Sequence, residues 1–178
     1  MTPKLLLGRR FVNPHIPDYL HTDLPKITDA VHANGSYIFI QLWALGRTAE
    51  PDLLKQESGF DVVSASPIPY EDGAHVPREL TVAEIKEYVQ LYSKAAANAI
   101  KAGFDGVEIH AANGYLPDQF LQTMSNKRTD EYGGSVDNRL RFALEVLNGV
   151  VEVVGAERTA IRIGPWSPFQ GETRLHLS

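Results

Sequence analysis

An α/β fold with parallel strands is what this chain predicts, and three observations carry that reading. Helical and strand patterns alternate in the order helix, strand, helix, strand, helix, strand. The strand segments are short, apolar and rich in β-branched or aromatic residues, as in strands covered by helices. The two longest helical patterns each end at a glycine. At 178 residues, with 43% hydrophobic and 22% charged content, the chain reads as one soluble globular domain. That length buries roughly two-thirds of the unfolded surface.

Residues 1–23 show no period: Leu5-Leu6-Leu7 is followed by Arg9-Arg10 and a stretch of His, Pro and Asp, so an irregular segment is expected. From Leu24 to Asn34, Ile27, Ala30 and Val31 recur at helical spacing and Asn34-Gly35 supplies the stop. Ser36 to Trp43 has the composition and length of a buried strand. Residues 44–80 are punctuated by Pro and Gly and are too long for an idle connection, which predicts a functional loop. Thr81 and Glu84 have capping-box spacing, and Ile85, Tyr88, Val89, Tyr92, Ala95, Ala96, Ala99 and Ile100 trace one helical face closed by Gly103.

The strand Asp105 to His110 follows, then a short helix near Leu116. Asn126 to Ser135 reads as a polar loop ending in Gly133-Gly134, a turn signal that lacks the strand and lysine of a phosphate cradle. Leu140, Ala143, Leu144, Leu147, Val150 and Val151 predict a second long helix stopped at Gly155. Thr159 to Ile163 is the last strand, expected to be buried, with Arg162 as its odd member.

Bulk properties exclude several classes of function. A net charge of −5 argues against a nucleic-acid partner or an anionic membrane. The absence of cysteine removes thiolate catalysis, disulfides and Cys-type zinc cages, and fits a reducing compartment. The histidines lack metal-ligand spacing, so no metal site is expected. With no eighteen-residue apolar run and no signal-peptide pattern, the expected location is cytoplasmic.

The chemistry concentrates at Val107 to Tyr115, where an apolar strand runs into His110, Asn113 and Tyr115 separated by small residues. Two neutral hydrogen-bond donors beside a phenol suit a site that polarises a carbonyl and delivers a proton. Gln41, His110 and Arg162 each place a polar group near a strand's carboxyl end, and such ends converge on one mouth in α/β folds. Taken singly, Gln41 also reads as a satisfied buried amide and Trp43 as packing. Arg162 needs an anionic partner, for which Glu108 is the structural candidate.

Ile40-Gln41-Leu42-Trp43, the block Gly103 to Phe120, the run Ser125 to Ser135, Asn138-Arg139 and Arg141-Phe142 together closely resemble the Old Yellow Enzyme family of flavin-dependent ene-reductases, in its fungal form. The match runs from about Leu24 to Gly171. The resemblance implies a (β/α)8 TIM barrel with FMN at its carboxyl mouth, NADPH as reductant, and an α,β-unsaturated carbonyl compound (an enone or enal) whose C=C bond is reduced. It further implies that His110 and Asn113 hold the substrate carbonyl oxygen and that Tyr115 gives a proton to the α-carbon. Gln41 and Arg162 would contact FMN, with the positive charge favouring the reduced flavin, and Trp43 would lie near the substrate.

A whole barrel needs eight strands and about 250 residues, whereas this chain supplies about three, so a partial barrel truncated at both ends is expected. Residues 1–178 then form one partial domain, with 172–178 a divergent tail. The alternative implied is an inactive remnant, or a half-barrel completed by self-association with a partner chain. Unpaired strand edges predict marginal stability and weak FMN binding.

Overall fold

The computed structural model describes residues 24–166 and 168–171; the segment expected to be irregular, 1–23, and the tail 172–178 lie outside the described residues. In chain order come α1 (Leu24–His32), β1 (Phe39–Leu42), a 3₁₀ turn (Gly46–Thr48), α2 (Pro51–Ser58), β2 (Val63–Ser64) and β3 (Arg78–Glu79). There follow α3 (Val82–Lys101), β4 (Gly106–Ala111), α4 (Leu116–Leu121), α5 (Val136–Val154), a 3₁₀ turn (Ala156–Arg158), β5 (Thr159–Ile163) and a last 3₁₀ turn (Phe169–Gly171).

The main sheet is parallel in the order β1-β4-β5. The predicted α/β class, with three parallel strands and covering helices, is therefore borne out, and the described residues close no barrel. Parallel register places Gln41 beside Glu108, Leu42 beside Ile109 and His110 beside Arg162. Since register partners share a face and successive residues alternate, one face carries Gln41, Glu108, His110 and Arg162. The other carries Leu42, Val107, Ile109 and Ile161, which enter the core.

That core forms because α3 and α5 lay apolar stripes on the sheet. Ile85, Tyr88, Tyr92, Ala95, Ala96 and Ala99 of α3 are buried, as are Phe142, Val146 and Val150 of α5. Each fully buried large side chain contributes about 1.5–3 kcal/mol. The helices pack closely at Gly149, where a Cβ would lie 2.7 Å from the Ser93 hydroxyl.

Three expectations are corrected. The first strand is shorter than Ser36 to Trp43, because Ile38 gives its N–H to Asp105 Oδ2 (2.7 Å) while Tyr37 points to solvent. β5 is not a buried strand: no described strand lies on its far side, and Ile163 is 59% exposed. Leu144 falls off the buried stripe of α5 and is exposed. The helix starts at Val136, where Ser135 Oγ accepts the Asn138 N–H (3.2 Å) as an N-cap. The 44–80 excursion, for its part, contains α2 and the β2–β3 pair.

The capping box of α3 is present as read. Thr81 Oγ1 accepts the Glu84 N–H, and Glu84 Oε2 accepts the Thr81 N–H. Arg78 adds a bidentate grip at 2.9 and 2.7 Å. Chiefly through Arg78, the Glu84 carboxyl is pulled down from 4.5 to about 2. Its folded value is depressed, so its stabilisation is present above the unfolded value and lost as pH falls from about 4.5 towards about 2. Glu84→Gln is expected to flatten the acid limb of melting temperature against pH in that window; an unchanged slope would contradict this.

The Asn126–Ser135 loop is a buried lock. Asn126 Nδ2 donates to the carbonyls of Phe120 and Tyr132, both at 2.8 Å. Arg128, 3% exposed at its side chain, donates to the carbonyls of Ala65 (3.0 Å) and Leu80 (2.7 Å) and grips Asp130. The motif thereby ties the end of α4 to the strands β2 and β3.

Candidate active site

β4 delivers His110 to its carboxyl end, and the chain then turns through Ala112 to Tyr115 before α4 begins. Asn113 (φ 57°) and Gly114 (φ 76°) are both left-handed. Asn tolerates that region and Gly occupies it freely. A Cβ on Gly114 would also lie 2.8 Å from Gln170. With its amide nitrogen turned inward, Gln170 donates to the carbonyls of Asn113 and Gly114, each at 3.2 Å. Tyr115 is the N-cap residue of α4, so its ring projects from the point where the turn meets the helix.

Three of the sequence-predicted residues meet directly. The Trp43 and His110 rings stack at 5.9 Å and 24°, Tyr115 stands edge-on to Trp43 at 4.4 Å and 85°, and Tyr115 lies 5.1 Å from His110. Trp43 arrives there because it continues the β1 register, one step past Leu42. Asn113 lies in the same turn, two residues before Tyr115.

Gln41 and Arg162 converge elsewhere on the same face. Gln41 Nε2 donates to Glu108 Oε1 (2.6 Å), and Arg162 reaches the same carboxylate through Nε (3.0 Å) and Nη2 (3.3 Å). Glu108 is thus the partner that Arg162 requires. The pair is not buried, since the arginine side chain is 57% exposed. The Arg162 hydrogen bond is the main cause holding the Glu108 carboxyl below its ordinary value.

Burial pushes the His110 imidazole below its ordinary 6.5, with Arg162 acting in the same direction and Glu108 against it. The ring is therefore neutral near pH 7. Because the folded value is depressed, the unfolded chain takes up this proton first, and stability is lost as pH falls from about 6.5 through the folded value. An NMR titration of the His110 ring protons is expected to give a midpoint below 6.5; one at or above it would contradict the assignment. His110 Nδ1 and Trp43 Nε1 are sealed from solvent without a hydrogen-bond partner among the described residues. Buried polar atoms of this kind call for an explanation, and a ligand site is one.

Sequence reading missed Asp118 and Gln119, both buried in α4. Asp118 Oδ2 accepts the Gly114 N–H (2.8 Å), and Gln119 Nε2 donates to the Gly114 carbonyl (2.7 Å). The available signal was a polar pair inside the otherwise apolar Leu-Pro-Asp-Gln-Phe-Leu helix. No helix among the described residues is long and apolar enough to cross a membrane.

With this geometry in place, the likeness to known proteins is informative. The NADH:flavin oxidoreductase / NADH oxidase family matches residues 17–175. A Penicillium roqueforti protein, chanoclavine-I aldehyde reductase fgaOx3, is 60% identical over 146 residues, covering 82% of this chain and 40% of its own length. The Aspergillus flavus NADP-dependent oxidoreductase lnbE is 57% identical over 146 residues, covering 82% and 38%. A Claviceps fusiformis protein named "Probable inactive dehydrogenase easA" is 50% identical over 147 residues, covering 82% and 38%.

Among solved structures, the Old Yellow Enzyme from Pichia sp. AKU4542 superposes with a TM-score of 0.83 at 44% identity, covering 88% of this chain and 42% of that one. Morphinone reductase in complex with tetrahydroNAD gives 0.82 at 42% identity, covering 89% and 47%. The chain spans about two-fifths of the length of the curated relatives it matches.

Proposed function

The chain belongs to the NADH:flavin oxidoreductase / NADH oxidase family, and from that premise we propose that it carries the carbonyl-holding and proton-donating part of an FMN-dependent, NADPH-using ene-reductase. The kinship with Old Yellow Enzymes expected from the motifs is borne out, and the family implies FMN and a nicotinamide as cofactors. The observation that carries the reading is the Trp43–His110–Tyr115 ring cluster at the end of β4.

The residues present fit a flavin. Gln41 and Arg162 stand on the face that carries His110, and they would hold the cofactor. The orphaned Nδ1 of His110 and Nε1 of Trp43 lie in the same cluster. When bound and reduced by NADPH, FMN supplies the hydride. His110, kept neutral by burial, and Asn113 act as hydrogen-bond donors to the substrate carbonyl oxygen, which drains electron density from the β-carbon. Tyr115 delivers a proton to the α-carbon. Trp43 supplies an apolar wall beside the phenol. The substrate class is an enone or enal.

A second reading is favoured by four relatives' being named probable inactive and by the exposed β5 side, where Ile163 and Trp166 are 59% and 70% exposed. In that reading the chain keeps the cluster but needs a partner chain, or does not turn over. Titrating FMN while following its fluorescence separates the two. Quenching with a stable flavin band supports the first, whereas a colourless protein indifferent to FMN supports the second. Light scattering then tells a self-associated pair from a monomer.

A further inference from the structure

We propose that Gln119 is the positioning residue of this site, setting the Asn113–Tyr115 turn against Trp43 through a fully buried amide. The inference rests on the roles proposed above for Asn113 and Tyr115. Gln119 is 0% exposed, and both ends of its amide are saturated. Its nitrogen donates to the carbonyls of Leu45 (3.0 Å) and Gly114 (2.7 Å), while its oxygen accepts the Arg47 N–H (3.2 Å) and the Ser64 hydroxyl (2.9 Å).

Leu45 lies two residues after Trp43, and Gly114 lies between Asn113 and Tyr115. One side chain therefore joins the segment carrying the aromatic wall to the turn carrying the donors. A direct backbone bond, Leu116 N–H to the Ala44 carbonyl at 2.9 Å, runs alongside it. The chain after Trp43 approaches so closely that a side chain at Gly46 would collide with the Gln119 amide.

The Gly114 residue is gripped from both sides, its N–H by Asp118 and its carbonyl by Gln119. This double grip fixes where the two successive left-handed residues, Asn113 and Gly114, sit in the site. A neutral amide suits the post because it must donate to two carbonyls and accept from two donors at once. A carboxylate of the same shape would set an oxygen against the carbonyls of Leu45 and Gly114.

The test compares Gln119→Glu and Gln119→Leu with Asn126→Asp. The last makes the same amide-to-acid change just beyond the same helix, but that side chain bonds the Phe120 and Tyr132 carbonyls and the Arg128 N–H, none of them in the Asn113–Tyr115 turn. NMR contacts and ring-current shifts among Trp43, His110 and Tyr115 are read with neither flavin nor substrate. Both Gln119 variants are expected to lose the Trp43–Tyr115 contact, while Asn126→Asp loses stability but keeps it. In FMN-loaded protein, reoxidation by an enone is expected to slow by about 10²-fold, the cost of a misplacement near 1 Å.

A folded Gln119 variant with intact ring contacts would overturn the proposal, as would equal loss in Asn126→Asp. Should the Gln119 variants fail to fold, the wild-type chain decides: slow solvent exchange of the Gln119 carboxamide protons supports the proposal and rapid exchange overturns it. Failure of the ene-reductase reading is seen separately, as reduced flavin that an enone does not reoxidise while the ring contacts still respond to Gln119.

Discussion

Replacing Tyr115 with phenylalanine is expected to slow enone-driven reoxidation of the NADPH-reduced, FMN-loaded protein by about 10²–10⁴-fold, the range for loss of a positioned proton donor. The substitution removes the hydroxyl alone. The edge-on contact with Trp43 at 4.4 Å and the 5.1 Å contact with His110 are made by the ring, which phenylalanine keeps. Flavin reduction by NADPH needs no proton from Tyr115 and is expected to proceed near the wild-type rate. Stopped-flow absorbance separates the two half-reactions, and equal slowing of both would refute the proton-donor role.

Arg128→Met is expected to cost about 2–5 kcal/mol of stability, from two buried carbonyls left without a donor at about 1–3 kcal/mol each. The Arg128 side chain is 3% exposed, and its Nη1 satisfies the carbonyls of Ala65 and Leu80. Without it, both carbonyls lose their buried donor and Asp130 loses the guanidinium that chiefly holds its carboxyl below the ordinary range. Methionine fills much of the volume but donates nothing. Urea unfolding should show a lower midpoint, and one unchanged from wild type would contradict the account of this loop as a lock.

Much of this fold was legible because its signals are local. The α3 capping box needs only Thr81 and Glu84 at the right spacing, and the α3 stripe needs only its period. That Gln41, His110 and Arg162 share one face was legible because strand ends in α/β folds share one mouth, whereas the contact of Trp43 with His110 and Tyr115 was not, since Trp43 by itself read as packing. The exposure of β5 was not, since Thr159 to Ile163 has the same composition whether or not a neighbour covers it.

Gln119 was missed for a related reason. A lone glutamine in a short helix carries no period, and its value lies in four partners from three segments that only the folded chain assembles. The Asn126 to Ser135 run read as a polar loop because its residue types are polar. Its arginine and asparagine are in fact buried, satisfying carbonyls of residues far along the chain as well as nearby.

The most direct test of the site's assignment is anaerobic. The protein is saturated with FMN, reduced with NADPH, and mixed with a simple cyclic enone while the flavin absorbance is followed. Return of the oxidised flavin band together with loss of the enone C=C bond is the predicted result. A flavin that stays reduced in the presence of enone, and is reoxidised only when dioxygen is admitted, would contradict the reading of His110, Asn113 and Tyr115 as a carbonyl-polarising, proton-donating site.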